Sequence, residues 1–436
     1  MTTIPVVIIG AGVVGCSIAH AMARRGRAPL VVDTQGEVGH GSTSASCGIV
    51  RRFYSTQTMI ALAQESMGVW AEWAAHIGVD DPSGLARLER PGALFVLPRL
   101  DETVRTQVAW MKLLGVDVEI LSADEIKSRH PFLRTRSQWP VKRPDDPEFY
   151  TEGAEAVGGG VFERDAGYVV SPQLATHNLR VAAEAAGASF RLGGAVRSIS
   201  PRGARGGRFA LTLDDGPSID AEVVINAAGP HSTLVNALAG VALPIEIRPL
   251  RREVHAAANP VAAEGGSGGV PVVGDIDSGI YFRPEAGGRE LIVGSLEPEC
   301  DRLEWIDDPD DWNDAATVAG YERHLLRLMK RFPQIRLGRR RGLAALYDVT
   351  VQDWMPVLDR TDLPGYYVAV GTSGSSFKTA PLIGAILAEL VDACEAGHDH
   401  DRSPLRMTLA RTGFDLDIGF FSRLRAARPS SATVLG

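Results

Sequence analysis

Apolar residues gather in short runs separated by amphipathic stretches, and the first such unit opens almost at the N-terminus. Val6-Val7-Ile8-Ile9 runs into Gly10-Ala11-Gly12-Val13-Val14-Gly15, an amphipathic stretch follows, and Leu30-Val31-Val32 then ends on Asp33. A short apolar run closed by glycine predicts a buried strand, so the unit reads as strand, turn, helix, strand. Further along, the pattern predicts strands at 94–97, 209–213, 221–226, 253–257, 279–282 and 290–293. It predicts helices at 101–114, 172–187 and about 315–331, and a turn at 165–168. Near the other end the same order returns: a strand at 366–370, a glycine-rich turn at 371–378 and a helix at 380–394.

The first unit carries chemistry. G-x-G-x-x-G on a strand-to-helix turn, with an acid closing the second strand, is the layout of a dinucleotide site. Gly10 permits the tight turn, Gly12 lets backbone amides approach a pyrophosphate and Gly15 lets the helix lie close on the strand. Asp33 is placed to take a ribose hydroxyl, and the helix N-terminus supplies a positive dipole end for phosphates. No second such motif sits on a strand-helix unit, so no separate pyridine-nucleotide domain is expected. The segment 221–226 running into Ala227-Ala228-Gly229 reads as a buried strand ending in small residues that a cofactor approaches closely.

The punctuation suggests a discontinuous layout. Residues 1–88, 152–240 and 345–405 are expected to form the cofactor-binding domain, 89–151 and 241–344 a mostly antiparallel substrate domain, and 406–436 a C-terminal tail that reads as disordered beyond Arg428. Glycine-rich connectors at 203–207 and 264–269 are the only low-complexity segments. The chain has 436 residues, 45% hydrophobic and 22% charged, ordinary values for a globular enzyme, and its formal charge of −8 argues against a nucleic-acid partner. The apolar N-terminus lacks the basic flank of a secretory signal, and no apolar run is long enough to span a membrane, so a cytoplasmic protein is expected. Cys16, Cys47, Cys300 and Cys394 are scattered, which suggests neither disulfides nor a zinc site.

Four blocks in order resemble the D-amino-acid oxidase superfamily of FAD-dependent oxidoreductases, in the branch of sarcosine oxidases, glycine oxidases and dimethylglycine dehydrogenases. They are residues 6–33, 41–54 (Gly-Ser-Thr-Ser-Ala-Ser-Cys-Gly-Ile-Val-Arg-Arg-Phe-Tyr), 165–187 with 223–229, and 371–390. The resemblance implies an α/β architecture: a Rossmann-like FAD domain of the p-hydroxybenzoate-hydroxylase type interleaved with a mainly antiparallel substrate domain capping the isoalloxazine ring. It carries cofactor-binding roles to Val14, Ser42, Thr43, Ser46, Cys47, Gly48, Val196, Ala227, Gly229, Gly371, Gly374, Ser375, Ser376, Phe377 and Lys378, beside the glycines and Asp33 already named. It places Arg51 and Lys378 on the substrate carboxylate, Tyr347 in the pocket, and Tyr281 with Arg283 on a strand over the flavin. Amides at 374–377 are aimed at the flavin N1 and C2 carbonyl, where negative charge accumulates.

As residues alone, 41–48 also suits a polar loop, Arg51 a surface arginine, Lys378 a helix cap, and Tyr281 and Tyr347 core aromatics. Arg52 reads as the solvent-facing member of its pair.

The chain departs from the branch at several points. Ile292 stands where oxidases carry a lysine that promotes reaction with oxygen, and Ser295-Leu296 replace a histidine-containing stretch, so oxidase and dehydrogenase remain comparable. Ala345 and Ala45 occupy the positions of covalent flavin attachment, with Cys47 and His40 only nearby, so non-covalent FAD is expected. The long stretch 136–160 suits a pocket loop or a subunit contact.

The expected function is oxidation of the C–N bond of an amino acid or N-alkyl amino acid to an imine by hydride transfer to flavin N5. Its acceptor is O2 or an electron-transfer protein or quinone. The alternatives are a 2-hydroxy-acid dehydrogenase and a partner-dependent flavoprotein subunit, with a homo-oligomer or accessory chain as protein partner. Asp307-Asp308-Pro309-Asp310-Asp311 precedes a helical segment and reads as its cap or a solvated run, and His398-Asp399-His400-Asp401 lies in a terminal linker without metal-ligand spacing, so no metal is expected; His231 and His255 stay open as pocket residues.

Overall fold

The computed structural model describes residues 3–428, apart from 152, 203–207, 215, 217 and 263–268, together with 430–431. The connector at 203–207, most of that at 264–269 and nearly all of the tail beyond Arg428 lie outside the described residues.

Two sheets carry the structure. In the first, Ile4–Ile9 lies between Ile219–Asn226 and Leu30–Asp33, parallel to both, because consecutive strands joined through a helix must return in the same direction. Ser189–Leu192 extends one edge, Phe209–Leu213 and Val196–Pro201 the other, and Tyr366–Val370 also pairs with Ile219–Asn226. Helix Val13–Arg24 packs on this sheet between helices Pro172–Ala185 and Ala380–Glu395. Ile8, Ile18, Val31, Ile225, Ile383 and Leu387 form the buried seam. Gly384 makes the closest helix contact possible, since a Cβ there would meet the Ser17 carbonyl oxygen at 2.4 Å.

The second sheet, of nine strands among the described residues, is centred on the long Ile247–Ala258, which pairs antiparallel with Glu290–Ser295 and Gly342–Thr350. Ile280–Glu285, Val272–Asp275 and Ala93–Leu97 continue it, with only the last pair parallel. Helix Val318–Arg331, capped by Thr317, covers one face through Leu325 and Leu328 against Phe282 and Val293. The architecture is thus α/β with a dinucleotide-type parallel sheet and a mainly antiparallel second sheet, and no helix among the described residues is long and apolar enough to cross a membrane.

Three expectations need correction. Strand Gly159–Glu163 pairs with Ala93–Leu97 and Val118–Leu121 in the second sheet, although it falls inside the 152–240 segment assigned to the first. Strand propensity marks an element but not the sheet it joins. Gly167–Val169 is a short strand beside Ile49–Val50, not part of a turn. Residues 406–425 are no loose tail. Arg406–Thr408 pairs with Asp415–Asp417, Leu416, Ile418 and Phe421 are fully buried, and Arg425 pairs with the buried Asp353 at 3.0 Å.

Candidate active site

The site begins at the turn between Ile4–Ile9 and the first helix. Gly10 adopts φ 110°, and a Cβ there would lie 2.3 Å from the Ala227 carbonyl oxygen, so both strand ends close on one another only with glycine. A Cβ on Gly15 would meet the Gly10 oxygen at 1.8 Å, which holds the helix against the turn. Gly12 opens the helix without a side-chain cap, while the Val13 amide donates to Thr43 Oγ1 at 3.1 Å, bringing loop 41–48 to the helix start. Val14 is buried just behind. Asp33 accepts from the amides of Ala11 (2.6 Å) and Gln35 (2.8 Å) and so aligns the glycine turn from the second strand. Ala227 donates its amide to Ile9, and Gly229, at φ 55°, has open space where a Cβ would be. Val196 stands at the start of an outer strand, packed against the core of this sheet. The arrangement is a cradle of small residues at a helix N-terminus, which fits the diphosphate of a dinucleotide.

Loop 41–51 leads from this cradle to the second sheet. Ser42 donates to the Leu346 carbonyl, Ser46 accepts from the Gly48 amide, and Gly48 at φ 61° leaves 2.6 Å between a would-be Cβ and the Val169 oxygen. Cys47 lies with its Sγ 3.3 Å from the Tyr281 hydroxyl. A half-open cavity lies beyond, walled by 46–49, Phe95, Val272–Gly274 and Leu296, with Tyr281 and Tyr347 lining it. Burial raises both phenols above their ordinary range, so they act as neutral donors. Tyr347 reaches the Ala45 carbonyl at 3.3 Å.

The far wall is loop 371–378. Gly371 and Gly374 both take φ 66° and Ser373 takes φ 52°, and the turn is anchored by Asp348, which accepts from Thr372 N (3.1 Å) and Oγ1 (2.6 Å). Ser375 and Ser376 turn their hydroxyls back on the Thr372 carbonyl. The amides of Gly374, Ser376 and Phe377 bond to no acceptor among the described residues. Phe377 stacks on Trp70, whose indole donates to the Lys378 carbonyl at 2.7 Å.

Among the described residues, three cations line the cavity, Arg51, Lys378 and Arg252, and no carboxylate does. The Lys378 ammonium donates to Tyr54 Oη at 3.0 Å and the Ser375 carbonyl at 2.7 Å. Burial lowers its pKa, against the pull of Tyr54. Burial alone would raise the Tyr54 phenol, but the charges of Lys378 and Arg51 outweigh it and bring the group below its ordinary value. Arg51 lies over the Tyr54 ring at 4.2 Å and donates to the Phe53 carbonyl.

The family model described as FAD dependent oxidoreductase matches residues 5–390. The chain belongs to that family. This FAD dependent oxidoreductase is 25% identical over 410 residues to 4-methylaminobutanoate oxidase (formaldehyde-forming) of Paenarthrobacter nicotinovorans, covering 91% of this chain and 45% of that protein, and so spans less than half of that relative. It is 23% identical over 419 residues to glycine oxidase of Geobacillus kaustophilus, covering 94% of this chain and 98% of that protein. Among solved structures, L-proline dehydrogenase from P. horikoshii shares the fold with a TM-score of 0.73 and 21% identity, covering 97% of each chain.

Two residue expectations for this FAD dependent oxidoreductase fail on geometry. Arg283 does not line the cavity. Its guanidinium is committed to the Cys47 carbonyl (2.6 Å), the Pro284 carbonyl (2.6 Å) and Glu285 (2.7 Å), which makes it a brace behind loop 41–51. Arg52 is not solvent-facing but wholly buried, paired with Glu163 at 2.9 Å and with Asp165. Ile292, His231 and His255 also stay off the cavity. His231 pairs with Asp310 at the surface, and His255 is buried against His324. Four residues escaped sequence reasoning: Tyr54, Asp348, Arg252 and Glu297. The double arginine at 251–252 was the available signal, because neighbours on a strand face opposite sides and one of them had to point inward. Among the described residues, no group of His, Cys, Asp and Glu could hold a metal ion.

Proposed function

We propose that this chain oxidises the C–N bond of an amino acid or N-alkylated amino acid to an imine. The observation that carries this reading is the juxtaposition of Arg51 and Lys378 in one apolar-walled cavity whose lining among the described residues contains no carboxylate. Arg51 offers a bidentate fork to a substrate carboxylate and Lys378 a second donor. An amine held beside these cations is pushed towards its neutral form, which frees the nitrogen lone pair. FAD, when bound, supplies the hydride acceptor. Gly10, Gly12, Val14, Gly15 and Asp33 would hold its diphosphate and ribose, 42–48, Val196, Ala227 and Gly229 would pack along it, and the open amides at 374–377 would face the pyrimidine end of its ring. Attachment is non-covalent in this reading, since Ala345 and Ala45 offer no nucleophile. Cytoplasmic residence belongs to it as well: the four cysteines are unpaired, as thiols remain in a reducing compartment.

The relatives reported above are named for amine or amino-acid substrates, so a 2-hydroxy acid or a partner-dependent subunit is not favoured. The test is anaerobic bleaching of the flavin band by glycine, sarcosine, proline, D- and L-amino acids and 2-hydroxy acids, followed by admission of air. Bleaching by an amine is expected, and the speed of recolouring assigns oxygen or another carrier as acceptor. Bleaching by hydroxy acids alone would overturn the reading.

A further inference from the structure

Arg251 and Arg252 are adjacent on strand Ile247–Ala258 and face opposite ways. Arg251 is fully engaged with Glu253 (2.7 Å), Glu304 (2.9 Å) and the carbonyls of Asn313 and Ala315 (2.6 Å each). Arg252 enters the cavity. One edge of its guanidinium is tethered: Nε lies 2.8 Å and Nη2 2.7 Å from Glu297 Oε1, and Nη2 donates to the Ser295 carbonyl at 2.8 Å. The Tyr347 ring lies 5.7 Å beneath it. Nη1 has no partner among the described residues and points at Gly374, where a Cβ would stand 3.2 Å away, so only glycine keeps this approach open.

This cation is superfluous to a single carboxylate, which Arg51 and Lys378 suffice to hold. The Oε2 of Glu297 is buried without a partner, and burial pushes the carboxyl up to about 7 against the pull of Arg252. A guanidinium with a free donor edge in a half-enclosed cavity is stabilised most by an anionic acceptor brought by the ligand.

We propose that Arg252 is a specificity-determining residue that binds a second carboxylate of the substrate, so that the preferred substrate is an amine bearing two acidic groups, one on Arg51 and Lys378 and the other on Arg252. This deepens the proposed amine oxidation and rests on it. Tyr347 and Glu297 are the positioning residues: the ring supports the guanidinium plane and the carboxylate fixes its tethered edge.

The test uses the FAD-loaded enzyme and non-oxidisable probes, butyrate against succinate, glutarate and adipate, with binding read from perturbation of the visible flavin spectrum. Wild type should bind its best dicarboxylate about 30-fold tighter than butyrate. Arg252→Met, and the double variant Arg252→Met with Glu297→Gln that leaves no unpaired buried carboxylate, should bring that ratio to within about threefold, and Arg252→Lys should retain part of it. Equal loss for mono- and dicarboxylates, or no dicarboxylate preference in wild type, would overturn the proposal. A preserved preference in an enzyme that no amine bleaches would sink the amine reading and leave the subsite standing. Bleaching by amines without the preference would do the reverse.

Discussion

Lys378 Nζ and Tyr54 Oη are 3.0 Å apart in the buried wall of the cavity, with Arg51 stacked over the same phenol ring at 4.2 Å. Lys378 and Arg51 bring the Tyr54 phenol below its ordinary value, and the phenol in turn pulls against the burial that lowers Lys378. The tyrosine accepts from the ammonium and separates two cations that would otherwise repel one another directly.

Removing one donor of a carboxylate clamp should show as lost binding. Lys378→Met is expected to raise KM for carboxylate substrates about 30-fold with a smaller change in kcat, corresponding to about 2 kcal/mol of charge-assisted hydrogen bonding. Because burial lowers the lysine pKa, wild-type affinity should fall as pH rises at values below the ordinary lysine range. Lys378→Arg should move that loss to higher pH. Steady-state kinetics from pH 7 to 11 measures both, and a flat profile in wild type would remove Lys378 from the clamp.

Arg283 should behave differently. As a brace on the Cys47 carbonyl it supports loop 41–51 without touching the cavity. Arg283→Met leaves Glu285 and that carbonyl without their partner, and it should lower Tm by several degrees and weaken flavin retention. The ranking of carboxylate substrates should be unchanged. Thermal melts and flavin titration decide this, and an altered ranking would return Arg283 to the pocket.

His324 is wholly buried with neither ring nitrogen bonded, facing His255, Glu253, Arg323 and Arg327. Burial, and then the nearby positive groups, drive its pKa well below the ordinary value, so it is neutral in the fold and protonated in the unfolded chain below about pH 6.5. The unfolded state therefore binds more protons there, and stability is present above that pH and lost as pH falls, by up to about 1.4 kcal/mol per unit. Tm measured from pH 5 to 8 should slope upward, and His324→Leu should flatten the acid limb. An unchanged limb would assign it to other groups.

Acid precipitation of the FAD-loaded protein should leave all yellow colour in the supernatant. Ala345 is buried on strand Gly342–Thr350, and Cys47 faces the Tyr281 hydroxyl. Colour in the pellet would identify a covalent link and direct attention to Cys47.

The first strand, its glycine turn and Asp33 were legible because each requires a particular residue type at a fixed spacing. The block at 41–54 and Lys378 were legible through resemblance. Arg252 and Glu297 were not, because Arg252 on strand Ile247–Ala258 meets Glu297 in the loop just beyond the neighbouring strand Glu290–Ser295, and a contact made across a sheet leaves no mark at short range in sequence. Arg52 was misjudged for a related reason. Its partner Glu163 lies 111 positions away, on the strand that was assigned to the other sheet. The segment 406–425 reads as a tail because it follows the last long helix and carries no long regular element, yet Leu416, Ile418 and Phe421 are fully buried in the core.

Loop 41–53 touches almost everything: Thr43 meets the first helix, Ser42 meets Leu346, Cys47 meets Arg283, and Arg52 meets Glu163. A dozen residues thus sew two sheets into one cooperative unit. Heat should melt both together in a single calorimetric transition, and limited proteolysis should not release either as a folded fragment. Entry to the cavity is then expected to proceed through movements of side chains and short loops rather than by separation of the sheets, which loop 41–53 ties together at each of these contacts.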